Sequence, residues 1–190
     1  MKMDNFNPHD YWQNRGITHG ATSIPKKVKG EVETLATWIA VHSVKSILDI
    51  GSGWGRIYFY LKEQRLADNY TMVDFVDSMR EGCRRRTGIL PDKWDGETLP
   101  YANDSFDLVL SVEVLLHVPP TDIGQMLAEH VRVSRRWLYI MTLGTCYAPL
   151  SEHCFWHDYL KLFSEAKLCV VDARFWQQGL HVHWILEKSK

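Results

Sequence analysis

Three glycines lie within five positions, at Gly51, Gly53 and Gly55, between an apolar run that ends at Ile50 and a segment with helical periodicity. Glycine costs backbone entropy and adds nothing to a hydrophobic core, so a cluster of glycines marks positive φ angles or the close approach of a ligand. In a doubly wound α/β sheet, a ligand lies where the first strand meets such a turn and the start of a helix. The cluster therefore predicts a ligand-binding loop.

The spacing of these glycines distinguishes two kinds of nucleotide site. The dinucleotide-binding pattern is GxGxxG, whereas this loop reads GxGxG, with Asp49 two residues before the first glycine. A second acidic residue, Asp74, ends the next apolar run, where a carboxylate can accept hydrogen bonds from ribose hydroxyls. Because the last glycine does not match, a nicotinamide dinucleotide is the less favoured ligand.

Hydrophobic periodicity predicts the elements that hold this loop. Short apolar runs indicate strands over residues 45–50, 70–74, 106–111 and 137–142, and apolar residues at helical spacing indicate helices over 31–41, from 56 onward, over 78–86 and within 119–133. A capping-box pattern, Ser78 with Glu81, predicts the start of the third helix. Strands that alternate with helices pair in parallel, so we expect an open α/β sheet with helices on both faces.

The C-terminal part departs from this alternation. A predicted helix over 155–167 precedes two apolar runs, 168–176 and 180–187, which are joined only by residues 177–179. Two strands on so short a link form an antiparallel hairpin.

Composition is that of a globular protein. The chain has 190 residues, 45% of them apolar and 24% charged, and its formal net charge is −1. We expect a single domain over 1–190, with an N-terminal helical appendage or lid over 1–44 and a binding core over 45–190. The charge balance does not favour nucleic acid as a partner, and no apolar run reaches the roughly 18 residues of a membrane span. Four cysteines without a CxxC pair predict reduced thiols and a cytoplasmic location.

Three stretches carry a resemblance to a known family. LDIGSGWGR, at 48–56, resembles motif I of the class I S-adenosylmethionine-dependent methyltransferases, and WDGETLPYANDSFDLVLSVEVLLHV, at 94–118, resembles their segment around the third and fourth strands. EHCFWHDYLKLFSEAKL, at 152–168, is similar to the helix before their antiparallel pair. The resemblance implies a Rossmann-like, seven-stranded, mostly parallel sheet with a C-terminal antiparallel hairpin, and a methyltransferase that uses S-adenosylmethionine.

The resemblance also implies roles for individual residues. Asp74 would bind the ribose and Asp49 would order the glycine loop, although Asp74 could instead only cap a helix. Trp54, inside the loop, departs from the family pattern and would point away from the cofactor or narrow its pocket. The implied cofactor-binding residues are Asp49, Gly51, Ser52, Gly53, Gly55, Asp74, Phe75, Met79, Asp95, Gly96, Glu97 and Ser111. Of these, Phe75 and Met79 would cover the adenine, residues 95–97 would face its edge or form only a turn, and Ser111 would lie near the methyl group.

Two residues after the fourth strand are candidates for a general base. By analogy with the family, His117 is the first and Glu113 the second, and the alternative for both is a place in the pocket wall. Tyr11, with Trp12, could form a lid over the site or belong to a helix packed on the sheet. His153 is a candidate to face the substrate, and His157 is included with it because it lies four residues later on the same helical face.

The sequence also indicates whether a metal is bound and what kind of acceptor is used. The pairs His153/His157 and His181/His183 could bind a metal, but no further ligand spacing completes a zinc pattern, so we predict no metal. The absence of a large insertion favours a small-molecule acceptor. The alternatives are a methyltransferase for protein or nucleic acid, a cofactor-binding module without catalysis and, less favoured, an NAD-dependent oxidoreductase.

Overall fold

The computed structural model describes residues 10–14, 27–66, 68–144, 153–176 and 181–189. Within these ranges the strands are β1 (Ile47–Ile50), β2 (Tyr70–Asp74), β3 (Asp92–Lys93), β4 (Phe106–Val112), β5 (Ser134–Leu143), β6 (Leu168–Trp176) and β7 (His181–Lys188). They form one seven-stranded sheet in the order β3-β2-β1-β4-β5-β7-β6. Strands β3, β2, β1, β4 and β5 pair in parallel, and β7 is antiparallel to both β5 and β6. The predicted sheet and its C-terminal hairpin are confirmed.

Helices connect these strands. They are α1 (Lys27–His42), α2 (Arg56–Glu63), α3 (Asp77–Thr87), α4 (Ile123–Val133) and α5 (Tyr159–Glu165), with a 3-10 helix at Leu115–His117 and a helical segment at residues 10–14. None of the helices that the structure describes combines the length and hydropathy needed to cross a lipid bilayer.

The sheet separates two apolar cores, because successive residues of a strand point to opposite faces. Leu48 belongs to the core that contains Leu127 of α4 and Phe163 of α5. Its neighbour Ile47 belongs to the other core, together with side chains of α1, α2 and α3 such as Leu35 of α1. Each fully buried side chain of this size contributes about 1.5–3 kcal/mol of transfer free energy, which holds the helices on both faces as predicted.

Two helix starts differ from the sequence prediction. The capping box is wrong, because α3 begins at Asp77 with Val76 as its N-cap and no side chain caps it. The carboxylate of Asp74 instead accepts the Val76 N–H, 2.8 Å away, and so sets the entry into α3. The last helix begins at Tyr159 rather than at 155. The Phe155 N–H donates to the Leu116 carbonyl oxygen instead of to a carbonyl of its own segment. Asp158 caps α5 by accepting from the Lys161 N–H.

The strand order places a crevice at one edge of the sheet. Strand β1 has β2 on one side and β4 on the other, so the connections that follow β1 and β4 leave in opposite directions. In such sheets the carboxyl ends of the strands at this switch point are where ligands bind. The segments at this edge are the glycine loop at 51–55, residues 75–76 after β2, and residues 113–118 after β4.

Candidate functional site

The first and third glycines of the loop are required by the protein's own packing. Gly51 and Gly55 have φ angles of 68° and 73°. A Cβ atom on Gly51 would lie 2.6 Å from Val114 Cγ2, and one on Gly55 would lie 2.7 Å from the Cys83 sulfur. Such distances are too short for van der Waals contact, so a side chain at either position displaces the residues after β4 or in α3.

The middle glycine is different. Gly53 also has a positive φ, 54°, but a Cβ atom there would meet only the Met79 sulfur, at 3.8 Å. Its N–H donates to the Asp74 carboxylate at 2.8 Å. The described protein therefore leaves space beside Gly53, and this is the part of the loop that a ligand can approach.

The large side chain inside the loop is directed away from that space. The Trp54 ring lies against Gly82 of α3, where an added Cβ atom would be 2.3 Å from it, and the Arg86 guanidinium lies 5.6 Å from the centre of the ring. Trp54 thus occupies the α3 side of the loop.

Asp74 connects the loop to the second strand. Its two carboxylate oxygens accept the N–H groups of Gly53 and Val76, each at 2.8 Å. Burial raises the pKa of Asp74, and these backbone hydrogen bonds oppose the shift. The Phe75 backbone also interacts with this carboxylate, and a carboxylate has about four acceptor positions, so the backbone contacts do not use all of them. Asp74 therefore organises the entry into α3, and its remaining acceptor positions fit the predicted contact with a ribose.

Asp49 lies deeper. It is 2% exposed and accepts a hydrogen bond from the Tyr70 hydroxyl at 2.8 Å. Burial raises the pKa of Asp49 to about 7, while the Tyr70 hydrogen bond and the positive charge of Arg56 lower it. The Asp49 carboxylate is hydrogen-bonded to Tyr70 of β2. Any effect of Asp49 on the order of the glycine loop is therefore indirect.

Two buried hydroxyl groups lie on the residues that the resemblance assigns to the cofactor. The oxygens of Ser52 and Ser111 have no hydrogen-bond partner among the described residues, and Ser111 is 1% exposed at the carboxyl end of β4. A buried polar group without a partner is costly. These hydroxyls are therefore groups that a polar ligand at the crevice could satisfy.

The turn at 95–97 closes the same edge. Asp95 Oδ1 accepts the N–H groups of Glu97 and Thr98 at 2.8 and 3.0 Å, and Gly96 has a φ of 92°. Residues 95–97 therefore form the turn that the sequence left open as the alternative to a cofactor contact. The second carboxylate oxygen of Asp95 takes no part in this turn. Phe75 packs against the core that contains Leu48, and Met79, 9% exposed, lies beside Gly53.

Glu113 directly follows β4 and has a strained backbone conformation. Its φ is 59°, a left-handed value that costs a residue with a side chain roughly 1–2 kcal/mol. One carboxylate oxygen lies 2.8 Å from Arg56 Nη2, and the other lies 3.6 Å from His181 Nδ1. Arg56 directly follows the last loop glycine, so this ion pair ties β4 to the loop. Sequence reasoning missed both Arg56 and His181, which lie 57 and 68 residues from Glu113 with no local pattern to connect them.

A cluster of rings forms the other side of the crevice. His117 Nδ1 lies 3.0 Å from the His153 carbonyl oxygen, and the two imidazole rings stack with centres 5.1 Å apart. The Tyr11 hydroxyl is 2.9 Å from His153 Nδ1, and the centre of the Trp12 ring is 4.8 Å from that of His117. Burial lowers the pKa of His117 to about 4, so its ring is neutral at physiological pH.

The helical segment at 10–14 spans the crevice. Tyr11 and Trp12 contact the histidines after β4 and β5, and the Gln13 amide donates to the Phe75 carbonyl oxygen at 3.2 Å, just after β2. These contacts lie at the carboxyl edge of the strands, which is where a lid over the site would lie.

The remaining histidines have other surroundings. His157 is 5% exposed, with Nε2 3.0 Å from the Val118 carbonyl oxygen, so the structure does not bring it to the crevice with His153. His183 hydrogen-bonds to the Tyr139 hydroxyl, and burial lowers the pKa of His183 to about 4. His181 faces Glu113.

Comparison with known proteins agrees with this architecture. Residues 47–136 match the family model of the methyltransferase domain. The phthiotriol/phenolphthiotriol dimycocerosates methyltransferase 1 of Mycobacterium ulcerans is 34% identical over 117 residues, which are 60% of this chain and 42% of that protein. The chain spans less than half the length of the curated relatives it matches.

Two solved structures have the same fold. The magnesium protoporphyrin IX methyltransferase of Synechocystis PCC 6803 with bound SAM has a TM-score of 0.74 at 14% identity, covering 98% of this chain and 100% of that one. The 1,6-didemethyltoxoflavin-N1-methyltransferase of Burkholderia thailandensis, bound to its substrate and S-adenosylhomocysteine, has a TM-score of 0.73 at 19% identity, covering 100% and 94%.

The sheet order and the antiparallel C-terminal pair define an α/β protein of the Rossmann-like class. Residues 47–136 match the methyltransferase domain, so the resemblance to methyltransferases expected from the sequence is confirmed over this part of the chain.

Proposed function

We propose that this protein transfers a methyl group from S-adenosylmethionine to a small-molecule acceptor. The observation that carries the proposal is the arrangement around Gly53: open space beside a loop backbone whose N–H is held by the Asp74 carboxylate at 2.8 Å. The buried, unpartnered hydroxyls of Ser52 and Ser111 support the fit of a polar ligand at the same edge.

The residues proposed to hold the cofactor fall into three groups. Asp74 would bind the ribose hydroxyls through its remaining acceptor positions. The loop from Gly51 to Gly55, with Asp49 below it, would support the methionine portion. The adenine would lie among Phe75, Met79, Asp95, Gly96 and Glu97, with Ser111 toward the methyl group.

When bound, the cofactor supplies a methyl group on a positively charged sulfur, which a nucleophile can displace directly. The protein's task is then to hold the acceptor in line and to exclude water. Glu113, held by Arg56 at the end of β4, is the group we propose to take a proton from a hydroxyl or thiol acceptor. Burial lowers the pKa of His117 to about 4, which makes its imidazole a weak base, so we assign His117 to the acceptor pocket rather than to proton transfer.

The acceptor side is lined by rings. Tyr11, Trp12, His117 and His153 form a contiguous aromatic surface, which suits an acceptor with a planar or apolar body. The names of similar proteins point the same way, since they mention a dimycocerosate lipid, a porphyrin and a toxoflavin precursor. We also propose a cytoplasmic location, because Cys83 and Cys169 form no disulfide within the described residues.

Calorimetry with S-adenosylhomocysteine, S-adenosylmethionine and NAD tests the cofactor assignment. We expect both adenosyl compounds to bind one per chain and NAD not to bind. Asp74→Ala should weaken S-adenosylhomocysteine at least about tenfold, which is about 1.4 kcal/mol, whereas Asp68→Ala, at an exposed position, should not change it. NAD binding, or an Asp74→Ala variant that binds as tightly as the parent, would contradict the assignment.

Catalysis needs a separate experiment. A screen with methyl-labelled S-adenosylmethionine against fractionated metabolite pools should transfer label to a small molecule. Label in protein or nucleic acid would instead identify a macromolecular acceptor, and cofactor binding without any transfer would favour a non-catalytic module.

A further inference from the structure

A histidine pair and a cysteine meet beneath the helical segment at 10–14. His117, His153 and Cys154 each offer one ligand atom, and these three atoms lie within 4.8 Å of one another. Within the described ranges no other group of three metal-ligating side chains lies so close together. We propose that His117, His153 and Cys154 form a zinc site with three protein ligands and an exchangeable fourth position.

The ligand types match the metal. Zn²⁺ binds imidazole nitrogen at about 2.0–2.1 Å and thiolate sulfur at about 2.3 Å, and it favours tetrahedral geometry. Those bond lengths require separations of roughly 3.3–3.6 Å between ligand atoms. The three ligand atoms already lie within 4.8 Å of one another, so the set closes on an ion through side-chain movements of about 1 Å.

The backbone that carries these ligands is already joined. The Phe155 N–H donates to the Leu116 carbonyl oxygen at 2.7 Å, which fixes the segment after β5 against the 3-10 helix after β4. The His153 carbonyl oxygen lies 3.0 Å from His117 Nδ1, so the two chain segments are tied on both sides of the cluster. Ligands held in this way lose little conformational entropy when they bind an ion.

Each imidazole also has the second partner that ligating histidines have. Histidines on zinc donate their other ring N–H to an oxygen, which fixes the tautomer and orientation. His117 Nδ1 faces the His153 carbonyl oxygen, and His153 Nδ1 faces the Tyr11 hydroxyl at 2.9 Å. This arrangement favours the Nδ1–H tautomer of both rings, the tautomer in which a zinc-bound histidine ligates through Nε2.

The burial of the cluster fits an exchangeable site. All three residues are half-buried, which leaves a path for an ion to enter. Three protein ligands with one open position are typical of zinc sites that bind water or substrate. The use of that position to bind a thiol or hydroxyl acceptor rests on the proposed function, whereas zinc binding itself does not. A zinc-bound His117 has no role as a general base, which agrees with the assignment of that role to Glu113.

Metal titrations of the full chain test the site. The protein is prepared without a histidine tag, dialysed against a chelator and titrated with Zn²⁺ in a calorimeter and with Co²⁺ in a spectrophotometer. We expect one Zn²⁺ per chain and a thiolate-to-cobalt charge-transfer band. Cys154→Ser should abolish the band, His117→Gln should weaken Zn²⁺ at least about 100-fold, and Tyr11→Phe should weaken it roughly 10- to 100-fold.

A matched control comes from the cysteine on β6. Cys169 is exposed, so Cys169→Ser should keep both the band and the zinc affinity of the parent. Circular dichroism verifies that each variant is folded. The absence of one-to-one zinc binding, or binding that Cys154→Ser and His117→Gln leave unchanged, would overturn the site. Calorimetry with S-adenosylhomocysteine on the same samples separates the proposals: zinc binding without it contradicts only the proposed function, and the reverse contradicts only the metal site.

Discussion

Single residues in the glycine loop have different physical reasons to be glycine. Gly51 and Gly55 are forced by contacts with Val114 and Cys83, whereas Gly53 has open space beside it. All three have positive φ angles, so a substitution by alanine at any of them costs roughly 1–2 kcal/mol of backbone strain. What separates them is the further cost of overlap.

Substitutions at different glycines of the loop should affect protein stability and cofactor binding differently. Gly55→Ala adds roughly 1–3 kcal/mol of overpacking against the Cys83 sulfur to the strain, so it should lower the thermal midpoint most. Gly53→Ala should destabilise only by the strain, yet weaken S-adenosylhomocysteine about tenfold or more, about 1.4 kcal/mol. Thermal denaturation and calorimetry of both variants measure this. Equal affinities in the two variants would show that Gly53 does not face the cofactor.

Asp49 makes stability depend on pH. Burial raises the pKa of Asp49 from 3.8 to about 7, while in the unfolded chain it returns to about 3.9. Between these values the folded protein holds a proton that the unfolded chain has lost, so the free energy of unfolding falls as pH rises from 4 to 7. The contribution of this one group across the window is about 4 kcal/mol at most.

Asp49→Asn should remove that dependence. The amide oxygen can still accept from the Tyr70 hydroxyl, and no charge is buried at high pH. We expect the variant to gain stability relative to the parent between pH 5 and pH 8, as measured by urea denaturation at both values. Asp68→Asn, an exposed control, should show no such change. A stability difference that is the same at both pH values would mean that Asp49 titrates normally.

At the scale of elements, apolar runs were sufficient to find every described strand except β3, whose two residues, Asp92 and Lys93, are polar and exposed. Strand β2 and strand β6 have the predicted bounds. Strand β5 extends to Ser134–Leu143, because Ser134 pairs with Phe106 of β4 and Leu143 pairs with His181 of β7. Helix starts were predicted less well. The capping pattern at Ser78 is local, but the entry into α3 is set by Asp74, and the backbone bond from Phe155 to Leu116 keeps 155–158 out of α5. Such contacts join distant segments, so no window of sequence contains them.

The N-cap residues of α4 and α5 allow a matched test of helix capping. The Asp158 carboxylate accepts the Lys161 N–H at 3.1 Å at the start of α5, whereas Asp122 at the start of α4 makes no side-chain cap bond. Asp158→Ala should therefore cost about 1 kcal/mol, or a fall of roughly 2–4 °C in thermal midpoint for a chain of this size. Asp122→Ala should leave the midpoint nearly unchanged, and equal falls in the two variants would contradict the assigned cap.

At the scale of the whole molecule, the family match covers the proposed cofactor site but only part of the proposed acceptor pocket. The match covers 47–136, which contains the glycine loop, Asp74 and Glu113. Tyr11, His153 and His181 lie outside it, and the fold brings them to the same edge of the sheet. The proposed cofactor contacts could therefore be assigned from motifs, whereas the contacts of Tyr11, His153 and His181 depend on segments that meet only after the sheet has formed.

The position of the proposed cofactor site predicts how ligand binding changes the stability of the molecule. S-adenosylhomocysteine at one hundred times its dissociation constant should add about 2.7 kcal/mol to the free energy of unfolding. That is a rise of roughly 5–10 °C in thermal midpoint. Amide exchange should slow at 51–55 and 75–79, and remain unchanged along β6 at the far edge of the sheet.

Asp74→Ala should abolish both the thermal shift and the local protection, because the carboxylate positions the Gly53 N–H and is the group proposed to accept from the ribose. A uniform slowing of exchange across the sheet, β6 included, would mean that the ligand acts through the global unfolding equilibrium alone. Protection that appears at the glycine loop and spreads to 10–14 would in addition show that the N-terminal segment closes over the bound ligand.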